Sequence, residues 1–162
     1  MASEHSLTRA LRELIYRQRT AALGTRDAEG EVFVSRVPYA IDGVDGSLLI
    51  HVSLLAPHTG NLQRHPRVSL LIAQNEVPGE PVHALPRVSI DLTAEACAPD
   101  SPEAHARCAV YLERFPEAQP MTLLGDFQFV RLRPLGARQV AGFGAARSLD
   151  AATLGQAFGA PD

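Results

Sequence analysis

Apolar and polar positions change period along this chain. Leu7, Leu11, Leu14 and Ile15 recur at helical spacing between Ser6 and Arg19, predicting an amphipathic opening helix. The runs TAALGT and EVFVSRVPYA are β-like, and Asp27 and Gly30 in the intervening RDAEG predict a hairpin. Asp42-Gly43-Val44-Asp45-Gly46 marks a tight connection into a strand over Ser47 to Ser53, the third in a meander. A polar helical turn at 57–64 stops at Pro66. The nearly continuous apolar run from Arg67 to Ala73 then predicts a strand inside a sheet.

The second half is more broken. Three prolines and a glycine make NEVPGEPVHALP a loop, after which Arg87 to Ala96 alternates like a strand with one dry face. Ser101 is a good N-cap and Pro102 suits the first helical turn, so a helix is expected to run to about Glu113. Phe127 and Phe129 alternate with polar neighbours in GDFQFVRLRP, predicting another strand, and a last short strand is expected around Arg138 to Ala141, leading into GFGAARSLD. Asp150 to Phe158 has weak helical character, with fraying expected in the final residues. The reading is a single domain over 1–162 with its core at about 10–150, mainly β with flanking helices. Short connections favour a Greek-key barrel over a doubly wound sheet. No GxGxxG follows a strand, so a dinucleotide fold is not expected.

Charge narrows the partners. The 15 cations are interleaved with 18 anions for a net charge of −3, which leaves no basic footprint for nucleic acid. Every cation is arginine, so no lysine is present to hold pyridoxal phosphate as a Schiff base. Cys97 and Cys108 fit neither a zinc-ligand spacing nor a disulfide scaffold and read as ordinary thiols. The N-terminus is charged throughout, and no run approaches the roughly 20 apolar residues that span a bilayer, so the expectation is a cytoplasmic protein without membrane association.

Candidate chemistry concentrates between Leu48 and Ile72. His51, Ser53, His58, Thr59 and Asn61 crowd the end of one strand and the start of a helix, where free backbone N–H groups favour an anionic cofactor. A capped helix between two core strands is the structural alternative, and His51 in particular reads as a satisfied core histidine. No Ser/His/Asp set or HExxH stands out, and Glu113 and Glu117 are separated by Pro116. No catalytic residue and no metal-ligand set is identified.

The succession ALGT, SRVPYA, HVSLLAPHTGNL, PRVSLLI, PRVSIDLTAEA, YLERFP, DFQFVRLRP and AGFGAA resembles the FMN-binding split barrels related to pyridoxamine 5′-phosphate oxidase, and within them the haem-utilisation branch. The resemblance implies a homodimer of six-stranded split β-barrels with FMN in clefts between subunits. By position it assigns Arg36, Val37, Pro38 and Tyr39 to the flavin ring and phosphate, and Ser53, Leu54 and Leu55 to the strand beside the cofactor. It assigns His58, Thr59 and Asn61 to the phosphate turn, Arg87 to a contact from the partner subunit, and Phe143 to stacking in the glycine-rich signature. Pro57-His58 stands where the oxidase carries an arginine and lysine pair. The activity implied first is an FMN-dependent oxidoreductase of unknown substrate. Haem binding or degradation is second, although that activity in the family relies on a histidine in a C-terminal extension and His105 is the last histidine here. A non-catalytic flavin-binding protein is third.

Overall fold

The structure, a computed structural model, describes residues 3–159. Helix α1 (Glu4–Arg17) begins where the Ser3 side chain accepts from the Ser6 N–H, and it buries Leu11, Leu14 and Ile15. Strands β1 (Thr20–Arg26) and β2 (Val32–Pro38) form the expected hairpin, whose turn is held by Asp27 Oδ1 accepting from the N–H groups of Glu29 and Glu31. Strands β3 (Ala40–Asp42) and β4 (Ser47–Ser53) follow, then helix α2 (Pro57–Arg64) and strands β5 (Arg67–Ala73) and β6 (Arg87–Ala96). Helix α3 (Pro102–Arg114) starts at Ser101, whose side chain accepts from the Ala104 N–H as its sequence predicts. A 3₁₀ turn (Pro116–Ala118) and a short helix α4 (Gln119–Thr122) lead to strands β7 (Phe127–Val140) and β8 (Ala146–Asp150) and helix α5 (Ala151–Phe158).

All pairings are antiparallel, in the order β2-β1-β5-β6-β7-β4-β3, with β8 also on β7. β2 and β3 lie at opposite ends of this path yet are separated in the chain by Tyr39 alone. One residue cannot span a flat sheet of seven strands, so the sheet curls until its edges meet. Tyr39 fastens that seam: its N–H donates to the Arg19 carbonyl at 3.2 Å and its hydroxyl to the Ile15 carbonyl at 2.6 Å. Burial raises the pKa of this fully enclosed phenol.

Inside the curl, one face of each strand builds an aliphatic core, including Leu23, Leu48, Ile50, Leu70, Ile90 and Leu132. Leu154, Ala157 and Phe158 of α5 join it together with Leu11 and Ile15 of α1. A smaller cluster lies on the other side of the β4–β7 ladder, where Leu49 and Phe129 meet Tyr111, Phe115 and Ala118.

The mainly β architecture with flanking helices is as expected, but the sheet has eight strands, not six. The apolar run expected as one strand breaks at Tyr39 into β2 and β3. The two expected late strands are one continuous β7, and β8 turns back on it. Gly136 pairs with Asp91 and Pro134 with Leu92, so Leu135 is an extra residue, and this bulge accommodates a proline within the strand. Residues 160–162, where fraying was expected, lie outside the described part. Among the described residues no helix is long and apolar enough to cross a membrane.

Candidate functional site

At the lower end of the curl, α2 is docked by its polar side chains. Asn61 donates through Nδ2 to Thr25 Oγ1 at 3.1 Å, and Thr59 donates through its hydroxyl to the Ser53 carbonyl. Asn61, Thr59 and Thr25 are all buried, so these bonds satisfy groups that would otherwise cost about 1–3 kcal/mol each. His58 Nδ1 lies 3.0 Å from the Ser35 hydroxyl, and burial lowers the imidazole pKa. The polar cluster legible in the sequence therefore first of all anchors α2 to β1 and β2. Beside it the chain is unusually apolar at its surface: Leu55 is 84% exposed, and Leu54 is about half exposed.

The other residues expected at a cofactor are dispersed. Val37 and Tyr39 point into the core, because the alternation of β2 sends Ser35 and Val37 inward and Arg36 outward. Their side chains thus cannot line a ligand on the outer face. Arg36 and Pro38 are exposed there. Arg36 and His58 consequently lie on opposite sides of β2 and form no phosphate clamp within one chain. Arg87 pairs with Ala73 at the far end of β5, about 20 Å by strand rise from Arg67 near α2. It donates to its own loop carbonyls, Leu85 at 3.0 Å and His83 at 3.4 Å. Phe143 is 80% exposed between Gly142 and Gly144, both at positive φ, and stacks on no ring among the described residues.

A second site was not legible in the sequence. On the outer face of β4 and β7, under α3 and α4, a cleft of about 300 Å³ is lined by His51, Cys108, Leu123, Leu124, Phe127 and Phe129. The His51 ring stacks on Phe129 with centroids 4.3 Å apart, and lies 5.0 Å from Phe127 and 5.7 Å from Tyr111. Its Nδ1 is enclosed without a hydrogen-bond partner. Desolvation lowers its pKa, which favours the neutral imidazole. His51 is therefore not the satisfied core histidine expected. Its register opposite Phe129, across the sheet from a residue 78 positions away in the chain, is what determines its surroundings.

Gln128 also lines this cleft, and its Nε2 is buried without a hydrogen-bond partner; the remaining polar groups are occupied or peripheral. The Thr122 hydroxyl donates to the Gln119 carbonyl at 2.7 Å, and the Cys97 thiol lies 3.9 Å from the Phe129 carbonyl. His105 and Asp100 stand exposed at its margin, Asp100 with φ of 58°. Cys97 and Cys108 are half-buried free thiols. The Leu54 N–H donates to the Asp126 carbonyl at 2.7 Å, which ties the end of β4 to the loop carrying the exposed Leu123 and Leu124. Among the described residues no group of three or more His, Cys, Asp or Glu is placed to hold a bare metal ion.

Against known proteins, residues 7–141 match the pyridoxamine 5′-phosphate oxidase family. Heme oxygenase HutZ of Vibrio cholerae is 31% identical over 137 residues, covering 84% of this chain and 77% of HutZ. The chloroplast heme oxygenase HOZ of Arabidopsis thaliana is 34% identical over 114 residues, 70% of this chain and 33% of the plant protein. Among solved structures, a heme binding protein from Mycobacterium smegmatis superposes with a TM-score of 0.82 at 27% identity. That match covers 95% of this chain and 62% of the mycobacterial one. The chain thus spans less than two thirds of the plant and mycobacterial relatives and 77% of HutZ.

Proposed function

We propose that this chain, a member of the pyridoxamine 5′-phosphate oxidase family, binds haem and, supplied with electrons and oxygen, opens the haem ring. The observation that carries the proposal is the character of the relatives: two proteins above 30% identity are haem oxygenases, and the structure at TM-score 0.82 is a haem-binding protein. This reverses the order of the first two readings of the sequence, since FMN is suggested here only by the family's name.

The donor set agrees. Haem asks for apolar surface against its ring, a neutral imidazole for its iron and cations for its propionates. Neutral imidazoles are available at His51 and His58, where burial opposes protonation, and both lie near exposed leucines. Among the described residues Arg36 makes no ion pair, and its planar fork suits a carboxylate. Bound haem supplies the redox chemistry; the chain's part is to hold it, orient it and keep water from one face.

The finer architecture belongs to the same proposal: a split barrel that pairs with a second copy through the outward face of β2, β1 and β5. Val32 and Val34 are 77% and 63% exposed there. An edge strand with bare valines is a liability unless covered. A dimer would also bring a partner's Arg87 and Phe143 toward the cofactor, contacts that one chain cannot supply.

The test is a haem titration followed by ascorbate in air. Saturable growth of a Soret band, then its loss with release of chelatable iron, is the expected result. Saturable uptake without loss would reduce the role to haem carriage, and no uptake would refute the proposal.

A further inference from the structure

The cleft on the outer face of β4 and β7 lies apart from the outward face of β2, β1 and β5, and the haem reading does not account for it. Its floor is aromatic. The His51 ring, held opposite Phe129 by the β4–β7 ladder, stacks on Phe129 at 4.3 Å and lies 5.0 Å from Phe127. The exposed Leu123 and Leu124 form a lip, and Pro99 and Ala104 complete the apolar lining. At about 300 Å³ the space is at the small end of ligand pockets, enough for a flat molecule of about one or two fused rings. Water against these rings and leucines finds no hydrogen-bond partner in them, so its displacement by an aromatic ring is favourable.

Charge and hydrogen bonding narrow the occupant. Among the described residues no arginine lines the cleft, and Asp100 at its margin is the one carboxylate, so an anion meets repulsion and no partner. A cation finds only that exposed carboxylate, where an ion pair is worth little, and His51 already covers the face of Phe129. His51 Nδ1 is enclosed without a partner, and a proton there would be a buried N–H with no acceptor. The neutral imidazole therefore carries its proton on Nε2, the nitrogen it offers to the cleft. The unpartnered amide nitrogen of Gln128, another residue of the lining, is also a donor. What the cleft lacks is an acceptor.

We infer that this cleft is a binding site for a neutral aromatic molecule bearing a carbonyl oxygen, such as an aryl amide, whose ring lies among Phe127, Leu123 and Leu124 and whose oxygen accepts from His51 Nε2. The inference stands apart from the haem reading. Of the two neutral imidazoles named there, it assigns His51 to this ligand and leaves His58 to haem. A chemical discrimination follows. The carboxylate that matches the amide in shape is rejected, because it meets Asp100 and no cation. Removing the His51 donor costs the amide one hydrogen bond while the ring keeps its apolar contacts.

The experiment titrates the full chain with 2-naphthamide and, separately, with 2-naphthoate, following the His51 Cε1–H signal by NMR so that occupancy of this cleft is what is read. Naphthamide is expected to shift that signal saturably, with a dissociation constant at least about tenfold below that of naphthoate. His51→Phe keeps a ring in the aromatic layer and removes the donor. It is expected to weaken naphthamide by about threefold to tenfold, measured by saturation transfer to the ligand, with near-ultraviolet dichroism reporting the fold. Leu124→Arg places a cation at the exposed lip and is expected to narrow the gap between the two probes. An unmoved His51 signal, equal affinities for the two probes in the wild type, undiminished naphthamide binding by folded His51→Phe, or a gap untouched by Leu124→Arg would each overturn the inference and leave the haem reading standing. Failure of haem uptake, in turn, would leave this site in place.

Discussion

The two faces of β4 carry different loads. Leu48, Ile50 and Val52 point into the curled sheet, where each is enclosed by other aliphatic side chains. Leu49, His51 and Ser53 point outward into a layer of aromatic rings and half-buried groups, with an unpaired nitrogen at its centre. A strand of seven residues thus has a fully packed aliphatic face on one side and an incompletely satisfied aromatic face on the other. Every group on the inner face has a partner, while the outer face leaves a buried nitrogen without one.

The comparison breaks most visibly if the inner face can be thinned without cost. Ile50→Ala leaves a cavity in a fully enclosed layer and is expected to lower unfolding free energy by about 2–5 kcal/mol in urea, while the fraction that stays folded binds haem as before. Loss of haem affinity in that folded fraction would mean that the two faces are not separable. The α2 anchor is next. Asn61→Ala leaves the buried Thr25 hydroxyl without its donor and is expected to cost about 1–3 kcal/mol by the same measurement. A neutral result would show that Thr59, His58 and Leu62 hold α2 without it.

The outer face should respond in the opposite way. His51→Phe removes an unpartnered nitrogen from an aromatic layer, so stability is expected to stay level or rise by up to about 1 kcal/mol. Acid sharpens the same contrast. Burial depresses the folded-state pKa of His51 and His58, so the unfolded chain takes up these protons more readily. Their contribution is intact above about pH 6.5, the unfolded value, and is lost as the pH falls below it. Melting temperature is therefore expected to decline from pH 7 to 5, less steeply in His51→Phe. An unchanged slope would assign the decline to His58 and the carboxylates. The smallest effect is expected at the surface network in which Glu95 accepts from Arg131 at 2.8 Å and Arg133 at 3.0 Å. Glu95→Gln is expected to cost under about 1 kcal/mol and to do so mainly at low salt, checked by melts at two ionic strengths.

Much of this was readable in the chain. Ser101 and Pro102 announced α3, Asp27 and Gly30 the first hairpin, and the period of Arg87 to Ala96 the dry face of β6. Those signals are local. The break at Tyr39 was not visible, because VPYA is apolar throughout and only the seam between the sheet edges decides where the strand must end. β8 and α5 were faint for a related reason: ARSLD alternates little, and Leu154, Ala157 and Phe158 gain their meaning from α1, more than 130 residues earlier. The polar turn at 57–64 was correctly located as a cluster, yet the same residues serve to dock a helix. Val37 and Tyr39 followed the family pattern in sequence while their side chains turn inward. His51 could be judged only once Phe127, Phe129 and Tyr111 were placed around it.

The central claim is that this family member holds haem in preference to flavin, and equilibrium titration of one preparation with haem and, separately, with FMN tests it most directly. The account predicts saturable haem binding at one per chain with a dissociation constant at least about tenfold below that for FMN, a difference of about 1.4 kcal/mol. Saturation by FMN with no uptake of haem would contradict it.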